Sequence, residues 1–226
     1  MKDYSRALEL LEPVSIGPEL KGLYDFFNST IDDFSHFQEQ YNIHCPSGCG
    51  ECCRHFIPDI TKLEALLVAS YLRFCKEDWE ETRRRLELFR DNEFGFCPLF
   101  RENTPYHCSV YEARPLICRL FGNCCSEDKE GNAVFRRCKF NYEPEIMAES
   151  LRITDEDEKA SVPVMDRYGI EMMNLDGNDS DRRLLPEAVL EALDKINYYI
   201  QLLGISEEDI SPSNPDDNNF PSPQAS

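Results

Sequence analysis

Basic charge is scarce in this chain of 226 residues: 24 Lys and Arg stand against 43 Asp and Glu, a net of −19. A nucleic-acid binder needs a basic footprint to displace counterions from phosphate, so that class of partner is excluded. Long apolar runs are missing as well. Stretches such as Ala65 to Ala69 fall far short of the ~18 residues of a membrane span, so no membrane partner is expected. The first residues lead into acidic, amphipathic sequence without the apolar segment of a secretory signal, so the expected setting is a reducing cytoplasm. Catalytic signatures are also lacking. There is no G-x-G-x-x-G, P-loop, G-x-S-x-G, H-E-x-x-H or EF-hand pattern, and no internal repeat. The acidic run Asp155 to Glu158 lacks the alternating ligand spacing of a calcium loop and reads as solvated surface.

Cysteine is absent from the first 44 and the last 88 residues, and all 11 cysteines lie between Cys45 and Cys138. The charge is partitioned in the same way. Residues 45–145 carry 15 basic and 17 acidic side chains, a net of −2, while the flanks carry −5 and −12. Length allows one or two domains. The pattern divides the chain into N-terminal helices over 1–40 that pack on a core, a cysteine domain over 41–145, an acidic connection with a C-terminal helix over 146–205, and a disordered tail over 206–226 rich in Ser, Pro, Asp and Asn.

The predicted fold is mainly α, with an irregular cysteine-rich core and at most a few short strands. Apolar residues from Leu8 to Phe37 recur at three- and four-residue spacings and break at Ile16-Gly17-Pro18. Thr61 and Glu64 form a capping box for a helix through Phe74, and a charged helix over 77–91 buries Trp79, Leu86 and Phe89. Beyond Phe94 the chain turns irregular, with candidate strands at Tyr106–Tyr111 and Ala133–Arg137 and a short helix from Pro115. Residues 150–181 read as a loop-rich connection. Pro186 to Leu203 is a helix closed by Gly204, with Val189, Leu193, Ile196, Ile200 and Leu203 as an apolar stripe that faces a core or a partner helix.

The first cysteine cluster is Cys45-Pro-Ser-Gly-Cys49-Gly-Glu-Cys52-Cys53-Arg54. Four sulfurs within nine residues, with glycines between them, suit a tight turn around a metal. The Cys49-x-x-Cys52 spacing is shared by tetrahedral thiolate sites and iron–sulfur loops. Adjacent Cys52 and Cys53 point apart, so this backbone feeds two metals, or one metal and one structural contact. The second cluster runs from Cys97-Pro-Leu-Phe100 to Cys108-Ser-Val-Tyr111-Glu-Ala-Arg114-Pro115-Leu-Ile-Cys118-Arg119. A helix opened by Pro115 puts Cys118 in its first turn, where a thiolate is favoured. Arg54, Arg114 and Arg119 each stand close to a cysteine and can offset the charge of about −2 that four thiolates leave around a divalent ion. Disulfides are disfavoured by the compartment and the odd count. Cys75 reads as a core residue, while Cys124, Cys125 and Cys138 stay open. His44, His55 and His107 flank the clusters as ligands, supporting donors or ordinary imidazoles, and His36 lies on a helix away from them.

CPSGCGECCR, CPLF and CSVYEARPLICRLF, taken in this order, resemble the YkgJ-type cysteine-cluster family, a zinc- or iron-chelating domain with a CxxCxxCC signature. The resemblance covers residues 41–140, and the C-x-x-Y-x-x-R-P-x-x-C-R stretch from Cys108 to Arg119 is its most specific part. The signature has two residues between its first two cysteines, whereas Cys45 and Cys49 are separated by three. The resemblance implies metal ligation by Cys45, Cys49, Cys52, Cys53, Cys97, Cys108 and Cys118, with Cys138 matching a trailing cysteine, and Arg54, Tyr111, Arg114 and Arg119 around them. It transfers a metal site and no reaction.

Three functions are compatible with these residues. The leading one is a non-catalytic metal-binding protein that holds zinc or an iron–sulfur centre. The second is an iron–sulfur redox or protein-modifying enzyme, since flagellin lysine N-methylases carry a similar cysteine pattern. The third is metal sensing or delivery by an incompletely closed site. Whether the chain is an enzyme stays open at this point.

Overall fold

The computed structural model describes residues 2–43, 49–92, 95–102, 104, 106–138, 150–177 and 181–210. These residues form ten α-helices and a few short antiparallel strands, so the mainly α expectation holds. The predicted break separates α1 (Lys2–Leu11) from α2 (Gly17–Tyr41). Gly17 is required there by close approach: a Cβ would meet the Leu11 carbonyl oxygen at 2.5 Å. The capping box opens α4 (Lys62–Cys75), with the Thr61 hydroxyl and the Glu64 side chain each bonded to the other's backbone N–H. α5 (Trp79–Asn92) buries Leu86 and Phe89 and leaves Trp79 half-buried.

The helix α9 (Leu185–Leu203) has Pro186 in its first turn and ends at Gly204, which is left-handed at φ 65°. Val189, Leu193, Ile196 and Ile200 are buried, and α9 packs along α4 and α5. The stripe therefore faces inward. α1 and α2 cover α4 from the other direction, where the Tyr4 hydroxyl meets Ser70 Oγ at 2.9 Å. A two-stranded antiparallel ribbon of β1 (Asp59–Thr61) and β5 (Arg182–Leu184) sets the start of α9 beside the start of α4. No described helix is long and apolar enough to cross a membrane.

Two regions depart from expectation. Tyr106–Tyr111 is not a strand; it contributes an isolated bridge from Cys108 to Phe100 and then a 3-10 turn at Tyr111–Ala113. His107 has φ 53°, which interrupts an extended run, and the Tyr106 and Tyr111 rings stack at 4.1 Å. Residues five apart in a strand lie on opposite faces and cannot stack in this way. Residues 150–177 are more regular than a loop-rich connection. They hold β4 (Ser150–Ile153), α7 (Glu156–Ser161) and α8 (Met165–Leu175). β4 extends an antiparallel sheet with β2 (Ser126–Glu127) and β3 (Ala133–Arg136). The sheet closes a second, smaller core from Phe37, Cys125, Phe135, Ile153, Val162 and Val164. Asp155 caps α7 by accepting the Glu158 N–H at 2.9 Å, so the acidic run starts a helix. Of the tail, Glu207–Ile210 forms the short helix α10, and residues 211–226 lie outside the described residues.

Candidate metal centre

Three chain segments are tied together through their backbones. Cys52 and Cys53 lie on α3 (Glu51–His55), one turn of helix that starts at Gly50. A Cβ on Gly50 would stand 2.7 Å from the Phe100 ring and 2.8 Å from His107 Cβ, so the turn seats against the second segment only as glycine. The Cys53 carbonyl accepts the Cys97 N–H at 2.8 Å, and the Cys97 carbonyl accepts the Phe100 N–H at 2.8 Å. Leu99 accepts the Ser109 N–H at 2.9 Å, which places Cys108 beside them. The third segment is α6 (Leu116–Leu120), where Pro115 precedes the first turn and its carbonyl accepts the Cys118 N–H at 3.0 Å.

Cys52, Cys53, Cys97, Cys108 and Cys118 consequently share one electrostatic neighbourhood. Burial pushes the Cys97 thiol up to about 12, with the other thiols adding to the rise. Burial also raises Cys108 and Cys118, opposed at both by the Arg114 charge. Cys52 and Cys53, expected from their adjacency to point apart, instead hold their sulfurs 4.0 Å from each other, because both lie on the single turn of α3. The hydrogen bond between them lowers Cys52 and raises Cys53. Tetrahedral ligation at a Zn–S distance of ~2.3 Å separates ligand sulfurs by about 3.8 Å, close to the spacing of this pair.

The three arginines are engaged differently. The Arg114 guanidinium carbon lies 4.0 Å from the Tyr111 ring centroid, and its buried Nε has no hydrogen-bond partner among the described residues. Arg119 is buried over the Phe27 ring at 4.3 Å; it donates to the carbonyls of Arg114, at 2.9 Å, and of Glu112. Burial lowers its pKa to about 9. Arg54 lies over the Phe96 and Phe100 rings, at 4.9 and 4.8 Å, and pairs with Glu51 and Glu102.

Cys49 is half-buried just before Gly50, while Cys45 and His44 lie outside the described residues. Cys138 is half-buried beside the turn after α6, with its Cβ 4.0 Å from the position a Cβ on Gly122 would take. Cys75 ends α4 and packs against the main core. Cys124 Sγ donates to the Leu120 carbonyl at 3.3 Å, and Cys125 is fully buried in the smaller core. His55 pairs with Glu51, and His107 stacks on Phe100 with Nδ1 at 3.1 Å from the Arg101 carbonyl.

Among the described residues no disulfide forms, and no group of three or more His, Cys, Asp and Glu side chains is placed so that it could hold a metal ion. The donor chemistry nonetheless fits a thiolate-bound ion. Soft sulfur donors predominate, two of them at ligand spacing, and a buried cationic N–H without a partner stands within electrostatic reach of Cys52, Cys108 and Cys118. Two features escaped the sequence pattern: Ser109 Oγ, buried without a partner among the described residues, and the bond from Leu116 N–H to Glu64. The capping box marks Glu64 locally, but nothing local marks its distant contact.

Residues 44–139 match the family model named CxxCxxCC, described as a "Putative zinc- or iron-chelating domain". The match agrees with the resemblance carried by the cysteine spacing. No curated protein and no solved structure matches the chain.

Proposed function

We propose that the chain is a non-catalytic metal-binding protein that holds zinc or iron through cysteine thiolates, with zinc preferred. Cys52, Cys53, Cys97, Cys108 and Cys118 are the central candidate ligands, and Cys45, Cys49 and Cys138 are the further ones. What supports this reading is the Cys52–Cys53 sulfur pair at 4.0 Å, in a segment whose backbone is tied to that of Cys97 and whose charges act on Cys108 and Cys118, with the buried Arg114 Nε unpartnered among the described residues. Bound there, a zinc ion would supply cross-links between α3, the Cys97–Cys108 segment and α6. Arg114 would offset the residual negative charge of the thiolates, and Tyr111 would hold the guanidinium in place through its ring. Reduced thiols of this kind suit a reducing compartment such as the cytoplasm.

The test is purification without oxygen, followed by metal analysis and a visible spectrum. Stoichiometric zinc in colourless protein is expected. A band near about 400 nm that bleaches with dithionite would assign an iron–sulfur centre instead. Protein that carries no metal and keeps its fold would overturn the proposal.

A further inference from the structure

Glu64 is 2 % exposed, and both oxygens of its carboxylate accept backbone hydrogen bonds. Oε2 takes the Thr61 N–H at 2.9 Å, which is the capping box of α4. That bond alone asks for no burial, because capping boxes serve on exposed helix ends as well. Oε1 takes the Leu116 N–H at 2.7 Å, 52 residues further along the chain. Pro115 has no N–H to offer, so Leu116 carries the first donor of α6, and Cys118 follows two residues later. At the other end of α6, Arg119 bonds the carbonyls of Arg114 and Glu112 and lies over Phe27 of α2. The single turn that carries Cys118 is thus held by α4 at its start and by α2 near its end.

We infer that Glu64 is a positioning residue of the metal centre: its carboxylate fixes the start of α6 on α4 and so sets where the Cys118 sulfur stands. The inference rests on the function proposed above. Two acceptor oxygens are needed for two N–H groups that come from different elements. Glutamine has the same shape but only one acceptor, so its amide N–H₂ would face one of the two donors. An aspartate would be a methylene too short to span both helices. The requirement is for the carboxylate itself, and it belongs to α6 rather than to the cap of α4.

The test compares full-length wild type with Glu64→Gln and Thr61→Ala. Thr61→Ala breaks the same capping box but leaves the Leu116 bond in place. In metal-free protein, alkylation of Cys118 by iodoacetamide is followed by mass spectrometry, with Cys125, buried in the smaller core, as the internal reference. Glu64→Gln is expected to speed labelling of Cys118 by about tenfold or more, the weight of one hydrogen bond to a charged acceptor, without changing Cys125. Zinc affinity by chelator competition is expected to fall about 10- to 100-fold in Glu64→Gln. Thr61→Ala should do neither. Unchanged Cys118 labelling in Glu64→Gln, or equal acceleration in Thr61→Ala, overturns the inference. If Glu64→Gln fails to fold, amide exchange in the wild type decides: Leu116 N–H should be protected, and exchange at the rate of an open chain overturns the clamp. Wild type that binds no zinc sinks the metal reading. Wild type that binds zinc, with Cys118 labelling indifferent to Glu64, sinks only the role of Glu64.

Discussion

Replacing Arg114 by methionine should push two measurable quantities in different ways. In the metal-free protein the Nε of Arg114 is a buried donor without a partner among the described residues. An unsatisfied group of this kind costs about 1–3 kcal/mol, which methionine would recover. The same substitution loses the contact of the guanidinium with the Tyr111 ring at 4.0 Å, which contributes about 0.5–2 kcal/mol. These nearly cancel, so the unfolding free energy of the metal-free variant should stay within about 1.5 kcal/mol of wild type by urea titration. The metal-loaded protein behaves otherwise. Four thiolates and a divalent ion leave a charge of about −2, and opposite unit charges about 5–7 Å apart attract by about 2–3 kcal/mol at an effective dielectric of 20. Arg114 is half-buried, so solvent screening cuts this to about 1.5–3 kcal/mol in all, or about 10- to 100-fold in affinity. Chelator competition at fixed pH and salt measures the loss. The reasoning fails if metal affinity is unchanged, or if the metal-free variant loses more than about 3 kcal/mol, since Arg114 would then be a structural residue.

Leu193 is fully buried between α9 and α4, so Leu193→Ala should cost about 2–5 kcal/mol and lower Tm by roughly 5–15 °C. Leu202 on the same helix is 61 % exposed, and Leu202→Ala should stay within about 0.5 kcal/mol; equal effects would refute inward packing of the stripe. Asp128 accepts hydrogen bonds from the Asn132 and Glu130 amides and pairs with Arg152 at 2.7 Å. Burial opposes its ionisation, but these contacts outweigh it and hold the carboxyl at about 2. Its support of the β2–β3 hairpin is therefore fully present above the ordinary value of 3.8 and lost as pH falls through about 2. The Asn132 amide shift, followed by NMR, should titrate with that midpoint; one near 4 would remove the argument.

What the sequence made legible was local. The break at Gly17-Pro18, the Thr61–Glu64 box and the Pro186–Gly204 helix each rest on residues whose effects act within a turn or two, and the structure bears them out. The elements missed over 150–177 have weak local signals, because β4 is four residues long and α8 buries only Tyr168 and Met172. Their stability comes from β3 and α2, which periodicity does not report. The same limit applies at the site. Spacing marked Cys52, Cys53, Cys97, Cys108 and Cys118 as a group, but it did not separate Cys124 and Cys125, whose surroundings are set by α6 and by the smaller core. Glu64 looked like a cap because the cap is local, and Leu116 is not.

The near-neutral cysteine segment takes on a different meaning once its arginines are located. A net of −2 over residues 45–145 suggested basic side chains placed to balance thiolates. Arg54, however, is satisfied by Glu51, Glu102 and two phenylalanine rings, and Arg119 by two carbonyls and Phe27. Those contacts would be made with or without a metal, so the charge count by itself carries little weight for ligation. Arg114 is different in kind: its charge reaches Cys52, Cys108 and Cys118, and its buried Nε has no partner among the described residues. A buried donor is ordinarily satisfied, and ionised sulfurs at Cys52, Cys108 and Cys118 would answer this one in charge. The case for a metal centre therefore rests less on how many arginines surround the cysteines than on one that the rest of the fold leaves unanswered.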